Sequence, residues 1–284
     1  MAHIHWYPGH IAKAERKLKE QLKLVDVVIE VRDARLPMSS AYPNIKNLIG
    51  DIPRIIVLNK SDLVEKQGLI LWKEHISHTQ NVPVITTSPT ETSVNNKIVS
   101  LVLQLSRPKI EQLMKKGLLE RPARVMVAGM PNVGKSSIIN RLIKKSKTKT
   151  GAKAGVTRQQ QWVRIHPKID LLDTPGIIPL KLDDQKSATR LAYVNSIGEN
   201  AFDNIEIANE LLKELDLIDK NELRKRYNLL NDEELNTYNI AIAKKWLIKS
   251  SEPDETRTAG YILSDFREGR LGKFILDEFE NGTV

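Results

Sequence analysis

The sequence predicts an α/β fold, a doubly wound and mostly parallel sheet, followed by a small all-helical domain. The chain has 284 residues, and at roughly 150 residues per domain this length favours two domains. Up to about residue 185, short runs of β-branched residues alternate with segments of helical periodicity, which is typical of βαβ units. Beyond that point β-branched clusters become rare and helical periodicity remains. We therefore expect domains at 1–185 and 186–284.

Strands are expected in the first domain where short segments are mostly apolar and in part β-branched, as in the buried strands of a parallel sheet. These segments lie at 25–31, 55–58, 82–86, 125–127, 162–165 and 169–172.

Helices are expected between the strands. The first is indicated by apolar residues at helical spacing, namely Ile11, Ala14, Leu18 and Leu22. Others are expected at 94–105, 108–119 and 137–145. In the second domain two apolar helical faces are visible, one formed by Ile205, Ala208, Leu211, Leu212 and Leu215 and one by Ala259, Ile262, Leu263 and Phe266. Gly269 is placed to end the last helix.

Composition excludes several classes of protein. The chain has no Cys, which excludes disulfides, thiolate metal sites and Cys nucleophiles. It has no apolar run near the ~18 residues that a membrane span needs, and its start lacks the basic and apolar segments of a secretory signal. We therefore expect a cytoplasmic protein that does not insert stably into a membrane.

Positive charge is concentrated in the first domain. The formal net charge is +9, but residues 1–185 carry 30 basic and 16 acidic side chains, whereas residues 186–284 carry 14 and 19. Segment 121–169 has 12 Lys and Arg and no Asp or Glu. Because a surface adapted only for solubility mixes both signs, this segment is expected to lie near phosphates. A solvated basic face without a partner is the alternative.

The strongest motif begins at Gly129 and reads GMPNVGKS, which matches G-x-x-x-x-G-K-[ST]. It follows an apolar strand and opens a helix, as a phosphate-binding loop requires. Gly129 and Gly134 allow backbone N–H groups to surround the α- and β-phosphates. Lys135 then brings positive charge to the β- and γ-phosphates, and the Ser136 hydroxyl is a ligand for Mg²⁺.

A second motif, Asn59-Lys60-Ser61-Asp62, favours guanine over adenine. Guanine presents N1–H and an exocyclic amine side by side, and the Asp62 carboxylate accepts from both. Adenine lacks this pair of donors and would leave the carboxylate unsatisfied. The Asn59 amide suits the N7 side, and the aliphatic stem of Lys60 covers the ring. A helix N-cap at Asp62 is the plainer interpretation.

A third motif, Asp173-Thr174-Pro175-Gly176, follows an apolar strand. A carboxylate at a strand end holds Mg²⁺ through water, and the Gly176 N–H lies within reach of a γ-phosphate. Taken alone the tetrapeptide is an ordinary turn sequence. Downstream of a phosphate loop it indicates a nucleotide-sensing segment.

The order of these motifs is unusual. Guanine nucleotide-binding proteins normally have the phosphate loop first, then the Mg²⁺ motifs, then Asn-Lys-x-Asp, whereas here Asn59 precedes Gly129 and Asp173. The chain thus resembles a circularly permuted P-loop GTPase. The segments 6-WYPGH-10, 32-RDAR-35 and 266-FREGRLGKF-274 resemble the ribosome biogenesis GTPase A family.

The resemblance implies further nucleotide-binding positions. Thr157 matches the switch threonine that contacts Mg²⁺ and the γ-phosphate, although Ala154 stands where relatives often carry Pro. Ser88 matches the guanine-side loop, with Pro89 in place of the usual Ala. Asn132 is either a ligand for K⁺ or a residue that shapes the loop. Val133 and Ser137 complete the phosphate-binding segment. The implied cofactors are GTP or GDP, Mg²⁺ and K⁺.

Catalysis is expected to differ from that of Ras-like enzymes. Ile177 follows Gly176 where those enzymes place a water-orienting Gln, and an aliphatic side chain forms no hydrogen bond with water. The resemblance points to His10 as the group that orients the water when a partner orders the N-terminal segment. A helix-capping role for His10 is the alternative. With His10, the expected catalytic residues are Lys135, Thr157 and Gly176.

The resemblance implies a GTPase switch in late assembly of the large ribosomal subunit, with a ribosomal precursor and its rRNA as partners and no DNA. We expect a monomer off the ribosome, and the helical domain is expected to contact the particle. The alternative is a signalling GTPase whose basic face meets an anionic membrane surface or an acidic protein. An ATPase is disfavoured by Asp62.

Overall fold

The computed structural model describes residues 11–42, 45–89, 91, 93–147, 162–172, 176–177, 184–218, 220–230 and 233–279. These residues form two compact units. The α/β unit comprises the described residues from 11 to 177 together with 277–279, and the helical unit comprises those from 184 to 276. Among the described helices, none is both long and apolar enough to cross a membrane.

One sheet organises the α/β unit. Its strands are β1 (Val27–Asp33), β2 (Arg54–Asn59), β3 (Val84–Thr87), β4 (Ala123–Gly129), β5 (Trp162–His166), β6 (Ile169–Leu172) and β7 (Gly176–Ile177). Their order is β3-β2-β1-β4-β6-β5, with β7 beside β4. All pairs are parallel except β5–β6. The expected mostly parallel α/β fold is confirmed.

Strand β1 is buried along its whole length although it carries charged residues. Glu30 accepts a 2.9 Å hydrogen bond from Arg32 Nε and another of 2.9 Å from Arg54 Nη1. Because burial of an unpaired charge is costly, these pairs are what allow a central strand to depart from an apolar pattern.

The described helices of the α/β unit are α1 (Ile11–Leu22), α2 (Ile45–Ile49), α3 (Lys66–Gln80), α4 (Val94–Lys115) and α5 (Lys135–Lys147). The expectation of two helices, at 94–105 and 108–119, was wrong because α4 is continuous through Pro108. Both Pro108 and Gln104 lie on its exposed side. The carbonyl group that loses its helical partner therefore faces water rather than the core.

Leu18 and Leu22 of α1 are buried, as the helical spacing predicts. They pack in an apolar cluster with Val28 of β1 and with Met126 and Ala128 of β4. This cluster supports β4 and its neighbour β1.

The helical unit contains α6 (Gln185–Tyr193), α7 (Asn204–Ile218), α8 (Lys220–Tyr227), α9 (Thr237–Ala243) and α10 (Glu255–Arg267). The apolar faces of α7 and α10 are buried, but Ile207 is buried on α7 where Ile205 was expected and Ile205 is only half-buried. Gly269, with φ of 74°, follows α10. The Arg270 N–H bonds to the Asp265 carbonyl at 2.8 Å, which is the Schellman closure that a glycine permits.

The end of the chain departs from the expected domain 186–284, because residues 277–279 pack on the α/β unit. Asp277 Oδ2 accepts hydrogen bonds from the backbone N–H groups of Met38 (2.7 Å) and Ser39 (2.8 Å). Phe279 stacks on Trp72 of α3 with 4.2 Å between ring centroids. The buried Asp277 carboxylate and the Phe279 ring thus hold residues 277–279 on the α/β unit. Neither residue lies in a periodic sequence pattern that would predict this packing.

Candidate functional site

The carboxyl ends of three parallel strands bring two of the sequence motifs to one edge of the sheet. β1 lies between β2 and β4, with Asp33 opposite Asn59 and Val31 opposite Gly129. The chain passes from β1 to β2 and β3 on one side and then returns to β4 on the other. Such a reversal opens a crevice at the carboxyl edge, where open α/β sheets bind ligands.

The phosphate-binding motif forms the turn between β4 and α5. Gly129 has φ of 152° and Gly134 has φ of 100°. A Cβ atom on Gly129 would lie 2.4 Å from the Val31 carbonyl oxygen, and one on Gly134 would lie 2.0 Å from Asn59 Nδ2. Both glycines are therefore required by backbone conformation and by close neighbours. Asn132, exposed and with φ of 56°, adds a third left-handed residue to the loop.

The buried ammonium group of Lys135 favours a bound anion. Its side chain is buried, and Nζ donates a 2.5 Å hydrogen bond to the Met130 carbonyl oxygen. Burial lowers its pKa from 10.5 to about 8. A buried ammonium with a carbonyl partner is stabilised by a nearby negative charge, so the loop fits a nucleotide phosphate. Ser136 and Ser137 are exposed in the first turn of α5.

The guanine-side motif lies against the phosphate loop. Asn59 is buried, and its Nδ2 donates a 2.8 Å hydrogen bond to the Val133 carbonyl oxygen. Lys60 adopts the left-handed conformation and precedes a short 3₁₀ helix, Ser61–Leu63. Asp62 is exposed within it, and its carboxylate forms no hydrogen bond with another described residue. The helix-cap interpretation of Asp62 therefore has no hydrogen bond among the described residues to support it.

Arg141 is a residue of this site that sequence reasoning missed. It lies on α5, and its guanidinium donates to Thr87 Oγ1 (3.0 Å) and to the carbonyl groups of Ser88 (2.8 Å) and Glu91 (3.0 Å). Ser88 is buried directly after β3. The helix that begins at the phosphate loop therefore holds the loop expected on the guanine side. A basic residue on a helix gives no sequence signal for this role.

The third motif is only partly within the described residues. Gly176 lies in β7 opposite Ala128 and beside Gly129, next to the start of the phosphate loop. His10, Thr157 and Asp173 lie outside the described residues. Where the structure describes the chain, no group of three acidic or His side chains forms a metal site; the described candidates are the Ser136 hydroxyl for Mg²⁺ and the Asn132 side chain for K⁺.

Several basic side chains of segment 121–169 have acidic partners from elsewhere in the chain. Arg121 Nη1 lies 2.6 Å from Asp26 Oδ2, Arg164 pairs with Asp170, and Lys168 Nζ lies 3.2 Å from Glu120 Oε1. The absence of acidic residues within a segment therefore does not leave its basic groups unpaired. Of the described ones, Lys135 is the clearest candidate for a phosphate.

This chain is similar to several known proteins. Residues 124–248 match the family described as "50S ribosome-binding GTPase". Ribosome biogenesis GTPase A of Bacillus licheniformis is 36% identical over 281 residues, which cover 98% of this chain and 99% of that protein. The GDP-bound structure of YlqF from Thermotoga maritima matches with a TM-score of 0.66 and 26% identity over 94% of this chain and all of that one.

The GNP-bound form of the same T. maritima protein matches with a TM-score of 0.62 and 27% identity, over 92% of this chain and 95% of that one. The likeness to the Bacillus protein extends over nearly the full length of both chains, and the fold and the permuted motif order agree with it. This chain therefore belongs to the ribosome biogenesis GTPase A family and is a circularly permuted GTPase that binds and hydrolyses GTP.

Proposed function

We propose that this GTPase is a switch in late assembly of the large ribosomal subunit and that it contacts the rRNA of the precursor particle. The hydrogen bond between Asn59 and Val133 carries the nucleotide-binding part of the proposal, because it joins the base-recognising loop to the phosphate loop. Support for the ribosomal partner comes from the similarity to the Bacillus ribosome biogenesis GTPase A and to the 50S ribosome-binding GTPase family.

Different residues of the chain bind the base and the phosphates of the nucleotide in this proposal. Asp62 accepts from N1–H and the 2-amino group of guanine, while the aliphatic stem of Lys60 covers the ring. The N–H groups of the loop between Gly129 and Lys135 surround the phosphates, and the Lys135 ammonium neutralises them. Mg²⁺, when bound through Ser136, Thr157 and Asp173, supplies charge neutralisation at the β- and γ-phosphates.

Water positioning is assigned to His10 rather than to the residue after Gly176. Ile177 has an aliphatic side chain, which forms no hydrogen bond with water. Hydrolysis by the isolated protein is therefore slow in this proposal, and the ribosomal particle accelerates it by ordering the segment that carries His10. Asn132 holds K⁺ beside the phosphates, and the added positive charge stabilises the transition state.

The rRNA contact is assigned to those basic groups of segment 121–169 that neither pair with an acidic side chain nor take part in the nucleotide site, as Lys135 and Arg141 do. If these groups neutralise RNA phosphates, binding weakens steeply with salt, by about 10²- to 10³-fold between roughly 50 and 200 mM for four to six contacts. Titration of labelled rRNA fragments at several salt concentrations measures this slope. A flat dependence contradicts the contact.

GTP turnover with and without purified large subunits, in K⁺ and in Na⁺, tests the proposed switch. The parent is expected to be slow alone, faster with subunits and faster in K⁺ than in Na⁺, and His10→Ala is expected to lose the acceleration by subunits. Equal turnover with and without subunits contradicts the ribosomal role. Sedimentation with anionic liposomes in place of subunits would favour the membrane-surface alternative.

A further inference from the structure

A buried carboxylate lies beside the start of the Asn59–Asp62 motif. Asp33 is the last residue of β1, is fully buried and stands opposite Asn59 in the parallel register. The Ala34 N–H donates a 2.8 Å hydrogen bond to the Asn59 carbonyl oxygen. Backbone contacts thus fix the Asp33 position against the residue that immediately precedes Lys60.

Two cations converge on this carboxylate. Arg35 donates from Nε to Oδ1 at 2.9 Å and from Nη2 to Oδ2 at 2.8 Å, a bidentate pair that fixes the plane of the carboxylate. Lys60 Nζ lies 2.8 Å from the same Oδ2. Burial raises the pKa of Asp33, but the charges and hydrogen bonds of Arg35 and Lys60 outweigh burial and lower it to about 2.

Lys60 needs such a partner. Its backbone has φ of 62° and ψ of 37°, a left-handed conformation that costs a residue with a Cβ about 1–2 kcal/mol. A free lysine side chain also samples many rotamers. The side chain is about three-quarters buried, with a relative exposure of 24%. The ion pair with Asp33 selects one of these arrangements before any nucleotide is present.

We infer that Asp33 is a positioning residue for base binding: its carboxylate holds the Lys60 ammonium so that the aliphatic stem of Lys60 is fixed over the guanine ring. Asp33 does not touch the nucleotide in this assignment and acts through Lys60 alone. The inference rests on the proposed guanine site. The segment Arg32-Asp33-Ala34-Arg35 thereby has a role. Arg35 stabilises the buried carboxylate of Asp33, and that carboxylate fixes the position of the Lys60 ammonium.

Calorimetric titration with GDP tests the inference on the variant Lys60→Met. This substitution keeps an apolar stem and removes the ammonium group. We expect Lys60→Met to bind GDP about tenfold more weakly than the parent, close to Lys60→Ala. In steady-state turnover we expect a raised KM for GTP with kcat unchanged, because the base is held equally in the ground and transition states. Lys66→Met, an exposed lysine on α3, serves as the matched control.

Asp33→Asn completes a double-mutant cycle. It is expected to weaken GDP binding in the parent and to have no further effect in the Lys60→Met background. An equal loss of GDP affinity on Asp33→Asn in both backgrounds overturns the inference. GDP affinity of Lys60→Met equal to that of the parent also overturns it, and this result can be obtained even if Asp33→Asn does not fold. Parent-like affinity of Lys60→Ala would instead contradict the proposed coverage of the base by Lys60.

Discussion

The Asn59 amide donates a 2.8 Å hydrogen bond to the carbonyl oxygen of Val133, which lies 74 residues further along the chain. The contact arises because β2 and β4 both flank β1 and all three strands end at one edge of the sheet. The order of those strands along the sequence does not affect which residues meet at that edge of the sheet. A permuted sequence can therefore build a guanine nucleotide site from motifs in reversed order.

Gly134→Ala is expected to disrupt this contact. The added methyl carbon would lie 2.0 Å from Asn59 Nδ2, and the residue has φ of 100°. Since Asn59 is buried and fixed, the loop must move, and we expect affinity for GDP to fall by about tenfold or more. Calorimetric titration measures the loss.

Gly260→Ala is the matched control for this glycine substitution. Gly260 lies within α10, and a Cβ there meets nothing within 4 Å. We expect unchanged GDP affinity and a gain of about 0.5–1 kcal/mol in the free energy of unfolding, since Ala has a higher helix propensity than Gly. If Gly134→Ala bound GDP as well as Gly260→Ala, the described loop geometry would be wrong.

Nucleotide binding should depend on pH through Lys135, whose pKa burial lowers to about 8. Bound phosphate favours the charged ammonium, so GDP binding is expected to take up a proton above about pH 8, and affinity falls there by up to about tenfold per pH unit. Calorimetry at about pH 9 in buffers of different ionisation enthalpy counts that proton. Lys135→Arg, which stays charged at this pH, should show no uptake, and absence of uptake in the parent contradicts the assignment.

The same pKa predicts how the stability of the nucleotide-free protein changes with pH. The pKa in the folded state, about 8, lies below the ordinary value of 10.5. Between these values the unfolded chain holds a proton that the folded chain lacks, so the free energy of unfolding rises with pH across this window. Denaturant titrations of the parent and of Lys135→Met should differ in this slope. Equal slopes would contradict burial of a charged Lys135.

Arg141→Ala is expected to loosen the loop after β3, because three hydrogen bonds to Thr87, Ser88 and Glu91 are lost together. We expect a roughly tenfold weaker affinity for GDP. Arg107→Ala, which removes an exposed arginine paired with Glu111 on α4, provides the control and should bind as the parent does. An equal affinity of the two variants would mean that this loop does not contribute to the site.

Asp277→Ala is expected to destabilise the α/β unit. The buried carboxylate accepts hydrogen bonds from Met38 N, Ser39 N and Ser39 Oγ, and its loss leaves these donors without their partner. We expect the free energy of unfolding to fall by about 1–3 kcal/mol, as measured by denaturant titration. Glu74→Ala, at an exposed position on α3, should change it by less than about 0.5 kcal/mol. If the two variants are equally stable, the tail does not support this unit.

Much of the fold follows from local patterns in the sequence. The β-branched run at 55–58 and the mostly apolar segment at 169–172 form strands because short apolar segments have few other places in an α/β protein. The phosphate loop could be predicted because two glycines, a lysine and a serine at fixed spacing have one common use. Here local chemistry determines the structure, so sequence reasoning succeeds.

Contacts between distant residues could not be predicted in the same way. Asp33, Arg141 and Asp277 carry no periodic or motif signal for their roles, since each acts through a partner fixed by tertiary packing. The continuation of α4 through Pro108 is of this kind too, because it depends on which side of the helix faces water.

The most direct measurement of the central claim is the base preference of Asp62→Asn. In the proposed site the parent carboxylate accepts from N1–H and the 2-amino group of guanine, whereas an amide at this position can donate to the 2-oxo group of xanthine. Calorimetric titration with guanosine and xanthosine diphosphates should show the parent binding the first and Asp62→Asn preferring the second. An Asp62→Asn variant that keeps the parent's preference for guanosine diphosphate would contradict the placement of the base between Asp62 and the loop ending at Ser136.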